Sequence, residues 1–273
     1  MPAAAFDLDA YFDRIGHAGP SAPTLETLQR LHLLHTQHIA FENLSPLTGE
    51  PVKLDIASLQ DKLVAQHRGG YCFEQNLLFA RALDELGFTV RGLGARVRWN
   101  VPDQVMTARG HMLLLVSLPH GDHIADVGFG GMTLTGALRL EPDIEQSTPH
   151  EPFRLRRADD VFTLEAKVGD AWKALYAFDL RAHYLPDYEV TSWYLSNHPQ
   201  SHFVTGLVAA RPEPGRRHAL RNNNYSIHEL NGATHTRALT NADELKRTLV
   251  EVFHIHLPDS VALAGKLQSI AAG

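Results

Sequence analysis

"HRGGYCFEQNLL", residues 67–78, holds the only cysteine in 273 residues. Two glycines and a tyrosine lead into it, and Phe73, Leu77, Ala80 and Leu83 then recur on one side of a helix that Gly87 ends. The thiol of Cys72 is thereby placed at a helix N-terminus, where free N–H groups and a partial positive charge favour a thiolate. A lone cysteine is ordinarily a small buried hydrophobe. A core filler needs neither Gly69-Gly70 before it nor a helix start, so Cys72 reads as a nucleophile that the two glycines leave open and flexible of approach.

Upstream, Leu25, Leu28, Leu31 and Leu34 follow Pro23 at helical spacing, and Asp55 caps a helix that buries Ile56, Leu59 and Leu63. Residues 1–90 therefore read as a small helical bundle. After Gly87 the period changes to 2. Residues 88–100, 111–118, 123–129, 152–157, 161–168 and 172–178 alternate between Gly, Pro and Asp turns, which predicts an all-β section, a compact barrel, over 91–190. A helix at 187–197 leads through a connecting segment at 191–210. Strands at 203–212, 225–230 and 234–239, and a helix over 242–255 opened by a capping box at Thr240–Asp243, make 211–273 a mixed α/β part. The expected fold class is α+β multidomain.

Composition narrows the function. A hydrophobic content of 44% is ample for a sizeable core, and a net charge of −6 without any Lys/Arg run argues against a nucleic-acid partner. The first residues lack a basic stretch followed by an apolar run, and no apolar segment approaches the ~20 residues that span a bilayer. One cysteine forms no internal disulfide, which fits a cytoplasmic location. The 17 histidines include no set with convincing ligand spacing. His198 and His202 are four apart but enclose Pro199 and lack the glutamate of a zinc helix, and His254 and His256 would share only one strand face. No metal is expected.

A nucleophilic thiol needs a base, and the base an orienter. His111 heads the apolar strand "HMLLLVSL", and Asp126 ends the next one. Pairing Val116 with His123 across the loop sets His111 opposite Gly128, with Asp126 two residues away on the same face and within reach of the imidazole. Slipping the register by one residue would undo this. Taken singly, a histidine at a strand end is commonly a solvated edge residue, and an aspartate before "VGFGG" a turn-former. "GFGG" itself lacks the third glycine and the helix of a dinucleotide loop; it fits a backbone that passes close to a ligand.

"RGGYCFEQN" at 68–76, "HMLL" at 111–114, "DVGFGG" at 126–131 and "FENL" at 41–44 together resemble the prokaryotic arylamine N-acetyltransferase family. "YFDRIG", "HEPFRL" and "SWYLSNHPQSHFVTGL" extend the likeness over almost the whole chain, with Ala40 standing where many members have proline. The resemblance implies a helical bundle, a β-barrel and a C-terminal α/β lid, with a papain-like triad of Cys72, His111 and Asp126 between the first two. It implies ping-pong transfer of an acetyl group from acetyl-coenzyme A to arylamines, arylhydrazines or N-hydroxyarylamines, by a cytoplasmic monomer or homodimer. Phe41, Tyr71, Phe129 and Phe203 are candidates for an aromatic pocket wall, each equally able to be core. Coenzyme A is expected at the amides of Gly128, Gly130 and Gly131 and the hydroxyls of Thr133 and Thr135. Arg68 and Glu42, the charged residues of two matched motifs, are expected to form a buried ion pair. A macrolactam-forming amide synthase acting on a carrier-bound chain, and a papain- or transglutaminase-like hydrolase, are the alternatives; turnover of free acetyl-coenzyme A separates both from the transferase.

Overall fold

The computed structural model describes residues 6–102, 104–230 and 232–273. Helices α1 (Leu8–Ile15) and α2 (Leu25–His38) each begin at a side-chain cap: the Asp7 carboxylate accepts Ala10 N–H, and the Thr24 hydroxyl accepts Thr27 N–H. A two-residue strand β1 (Phe41–Glu42) and a short helix α3 (Leu44–Thr48) follow. Helix α4 (Ile56–Gln60), capped by Asp55 as expected, runs on into a π turn at Asp61–Ala65. Helix α5 (Cys72–Glu85) starts on the cysteine, and Gly87 adopts a left-handed φ of +84° just past its end. Tyr11, Ile15, Leu28, Leu31, Leu59, Leu63, Phe79 and Leu83 bury together between these helices. Each apolar side chain so buried contributes about 1.5–3 kcal/mol.

The two glycines before the cysteine are neither open nor flexible. A Cβ on Gly69 would lie 2.1 Å from the carbonyl oxygen of Ala40, and one on Gly70 would lie 2.7 Å from Glu74 Oε2. Gly69 is glycine because the chain entering β1 crosses directly over it, and Gly70 because the Glu74 side chain folds back against it; Glu42 N–H also donates to Gly70 O at 3.1 Å. They fix the position of the α5 N-terminus.

The middle of the chain forms β2 (Thr89–Val97), β3 (His111–Leu118), β4 (Gly121–Ala125), β5 (Leu138–Arg139), β6 (Phe153–Ala158), β7 (Val161–Val168) and β8 (Ala171–Ala182). Among the described residues these make a seven-stranded antiparallel sheet in the order β5-β4-β3-β2-β8-β7-β6. Bridges from Pro142 to Leu155 and from Gln146 to Phe153 tie the segment leaving β5 to β6, so the sheet nearly closes into a barrel. Strand β3 is buried on both faces: Met112, Leu114 and Val116 pack on the helical core, Leu113 and Leu115 inside the barrel. That explains its unbroken apolar run. The β3–β4 register pairs Val116 with His123, as the loop length requires.

The C-terminal part differs from expectation in detail. Helix α6 (Leu185–Asn197) is present, but the strand expected at 203–212 begins with a helical turn, α7 (His202–Thr205), capped by the Ser201 hydroxyl. Strand β9 (Val208–Glu213) follows, then β10 (Arg216–Arg221), β11 (Asn224–Glu229) and β12 (Thr234–Ala238). With β1 they form a sheet in the order β1-β9-β10-β11-β12. The cap of α8 (Ala242–Arg247) is Asn241, one residue beyond Thr240, since Asn241 Oδ1 takes Glu244 N–H while the Glu244 carboxylate reaches back to Thr240 N–H. After a π turn at Thr248–Val252 the helix stops, and His254, at φ +56°, lies with His256 outside any strand. Helix α9 (Val261–Ala272) closes the chain.

Candidate functional site

Cys72 is the first residue of α5 and 4% exposed. The helix start is held by Glu74, whose carboxylate takes Tyr71 N–H at 3.1 Å and Lys62 Nζ at 2.7 Å. One step earlier, Arg68 meets Glu42 with both groups buried, Nε to Oε1 at 2.9 Å, and Glu42 also takes Leu44 N–H. Burial opposes charge on Glu42, but the guanidinium beside it keeps its carboxyl below the usual range. The ion pair expected from the two motifs is therefore present, between the segment that carries the thiol and β1.

His111 and Asp126 come together: His111 Nε2 lies 2.7 Å from Asp126 Oδ2, with both side chains buried. The ladder of β3 and β4 ends at Leu114–Ala125, and the chain past β4 brings the carboxylate under the first residue of β3. Asp126 Oδ1 accepts Asn76 Nδ2 at 3.0 Å and Gly128 N–H at 2.9 Å. Its burial favours the neutral acid, yet His111 and these donors hold it below its ordinary value. Burial likewise opposes a charged imidazole. The Asp126 carboxylate outweighs it, aided by the Cys72 side chain as hydrogen-bond partner and charge, and pushes His111 up to about 10. With Nε2 committed to the carboxylate, Nδ1 is the nitrogen that faces the sulfur. Cys72 Sγ also lies 3.9 Å from Gly110 O. A sulfur, an imidazolium and a carboxylate in this order can exchange a proton and form a covalent acyl intermediate.

Two supporting residues escaped sequence reading. Asn76, one turn after Cys72 on the same helix face, bonds Met112 O at 2.9 Å and accepts Val127 N–H at 3.1 Å as well as reaching Asp126. Its position at i+4 was a legible signal. His32, on α2, accepts the backbone N–H of Asp126 on Nε2 at 3.1 Å; burial pushes this ring down to about 4, so it stays neutral. Nothing in the helical pattern of α2 distinguished it.

The four aromatic candidates separate. Phe129 is half-buried, its ring edge-on to His111 at 5.1 Å. Phe41 and Phe203 lie 6.0 Å apart, with Gly130 passing over the Phe41 ring. Tyr71 is fully buried, its hydroxyl 2.5 Å from Ser192 Oγ and its ring 5.4 Å from that of Phe203. Of the five groups expected to meet coenzyme A, three already have partners within the protein. Gly128 N–H is taken by Asp126, and a Cβ there would lie 2.8 Å from Cys72 Cα. The Thr133 hydroxyl, buried, donates to Asp126 O at 3.1 Å, and that of Thr135, also buried, donates to Thr148 at 3.2 Å. These three groups build the loop. Gly130, at φ +91°, and exposed Gly131 remain at its turn. Among the described residues, no cluster of three or more His, Cys, Asp or Glu could hold a metal ion, and no helix is long and apolar enough to cross a membrane.

Comparison with known proteins places this site in context. A family model described as N-acetyltransferase matches residues 24–262. An arylamine N-acetyltransferase of Mycobacterium tuberculosis is 46% identical over 259 residues, covering 93% of this chain and 91% of that protein. One from Escherichia coli is 40% identical, covering 93% and 90%. The solved structure of Mycobacterium marinum arylamine N-acetyltransferase in complex with CoA superposes with a TM-score of 0.93 at 42% identity, over 97% of this chain and 99% of that one.

Proposed function

The chain belongs to the arylamine N-acetyltransferase family and is an acyltransferase, and on that footing we propose that it moves an acetyl group from acetyl-coenzyme A to the nitrogen of an arylamine or arylhydrazine through an acetyl-Cys72 intermediate. The observation that carries this reading is the buried His111–Asp126 pair at 2.7 Å, set beside the thiol at the start of α5.

In this reading His111 takes the Cys72 proton, and the Asp126 charge stabilises the imidazolium so formed. The thiolate attacks the thioester carbonyl; the C–S bond to coenzyme A breaks, and His111 gives its proton to the departing sulfur. Thioester exchange is nearly balanced in energy, so the acetyl group is stored without a deep trap. In this reading the N–H groups of the first turn of α5, that of Cys72 included, stabilise the oxyanion. An amine then attacks acetyl-Cys72 and passes its proton to the neutral imidazole, and the C–S bond to Cys72 breaks to regenerate the starting pair. Phe129, Phe41 and Phe203 shield the thioester from water. Of the coenzyme A contacts, Gly130 and Gly131 are the amides left to offer it. A lone thiol suits the reducing cytoplasm, where we place the protein.

The test is steady-state kinetics with acetyl-coenzyme A and a panel of anilines and hydrazides. Parallel double-reciprocal lines support the two-step route. Lines that intersect, or hydrolysis of peptide bonds without coenzyme A, reject it.

A further inference from the structure

Arg217, on β10, is 1% exposed, and its charge has no part in the proton transfers above. Its guanidinium joins three separate parts of the chain. Nε lies 3.0 and 2.9 Å from the two oxygens of Glu151, and Nη2 donates to Oε2 at 2.6 Å, while Nη1 donates to Thr133 O at 2.9 Å and reaches Gly131 O at 3.5 Å. Thr133 in turn donates its hydroxyl to Asp126 O and accepts Phe129 N–H at 3.3 Å, and its own N–H bonds Gly130 O. The planar fork thus closes a chain of contacts from the C-terminal sheet to the loop that carries Phe129, Gly130 and Gly131. Beside it, His150 Nε2 bonds the carbonyls of Glu213 and Arg216, a second tie between the same parts. A buried charge with this many directed bonds is a costly way merely to fill space, since apolar residues of similar volume often serve stability as well or better.

We infer that Arg217, clamped by Glu151, is a positioning residue for acetyl transfer: it sets the 128–133 loop, and with it the surface that receives the substrates, from the C-terminal sheet. This rests on the acetyl transfer proposed above. The loop itself is read by a measurement that does not. Lysine cannot reproduce the fork, because a point-like ammonium cannot grip both carboxylate oxygens and two carbonyls in one plane.

The experiment compares wild type with Arg217→Lys and Glu151→Gln. Protein is taken from the folded peak of size-exclusion chromatography and quantified by absorbance, so that unfolded material does not enter. In Arg217→Lys, KM for acetyl-coenzyme A or for the arylamine rises about tenfold or more, and by more than kcat falls, the scale expected when a positioning contact shifts by a fraction of an ångström. Glu151→Gln moves KM in the same direction by a smaller factor and keeps the inference testable if the lysine variant does not fold. Hydrogen–deuterium exchange of the 129–133 amides speeds up about tenfold, while that of β3 is unchanged. A lowered melting temperature with wild-type KM and wild-type loop exchange overturns the inference and leaves Arg217 a structural residue. Absence of acetyl transfer in wild type sinks the acetyl-transfer reading instead, and the exchange result still decides whether Arg217 holds the loop.

Discussion

Replacing Asp126 with asparagine removes the counter-charge of His111 and changes almost nothing else in shape. The amide oxygen can keep the Oδ1 partners, since Asn76 Nδ2 and Gly128 N–H both donate. The amide nitrogen then faces His111 Nε2, where the carboxylate stood at 2.7 Å. Two N–H groups cannot face one another, so the ring moves its hydrogen to Nδ1, the nitrogen that must receive the thiol proton. The wrong tautomer alone lowers turnover by on the order of 10⁴ in a comparable triad. The lost charge acts in the same direction: His111 stands at about 10 against an ordinary 6.5 despite complete burial, a preference for the charged ring on the order of 5 kcal/mol. Single-turnover release of coenzyme A, measured from pH 6 to 9 on protein with a wild-type melting curve, is the assay. Asp126→Asn should lose about 10³-fold or more near pH 7 and recover part of it as pH rises and the sulfur ionises unaided. A folded variant acetylated within about tenfold of the wild-type rate refutes the reasoning.

Arg68→Ala orphans Glu42 in a site where both side chains are buried, and denaturant unfolding should show a loss of about 3–5 kcal/mol. Gly128→Ala forces a methyl against the Cys72 backbone at 2.8 Å; it should destabilise by about 1–3 kcal/mol and slow Cys72 acetylation about a hundredfold, as stopped-flow coenzyme A release will show. Stability should also depend on pH. His111 is raised in the folded state, so its stabilisation is complete below its ordinary 6.5 and is lost as pH climbs through about 10. Asp126 is lowered, so its share is present above 3.8 and lost as pH falls below that. Unfolding free energy should therefore fall from pH 7 to 10, and His111→Gln should flatten that slope.

The parts of this molecule legible in the sequence are those set by local rules. The α5 start followed from a period that begins at the cysteine, and the β3–β4 register from the length of one hairpin loop. Strand β3 was legible as an apolar strand because every residue from Met112 to Val116 is apolar, and its burial on both faces is the reason for that run. Strand β10 was not, since its "RRHALR" is polar in composition and its burial comes from Glu151, Tyr225 and the neighbouring strands. The 203–212 segment has strand-like residues throughout, yet the Ser201 cap and Gly206 make its first part a helical turn. Gly69 and Gly70 looked permissive because what crowds them is not visible in their own stretch: the Ala40 carbonyl, distant in sequence, lies over Gly69, and the Glu74 carboxylate folds back onto Gly70. Thr133 and Thr135 looked available for the same reason: their inward partners, Asp126 and Thr148, belong to other turns of the chain.

The central claim is that one sulfur accepts and then surrenders an acetyl group. Intact-protein mass spectrometry after mixing with acetyl-coenzyme A, without an amine, reads this directly. Wild type should gain one acetyl group and lose it when an aniline is added, and Cys72→Ala should gain none. Acetylation that persists in Cys72→Ala, or wild-type protein that turns over arylamine while its thiol is never acetylated, contradicts the account.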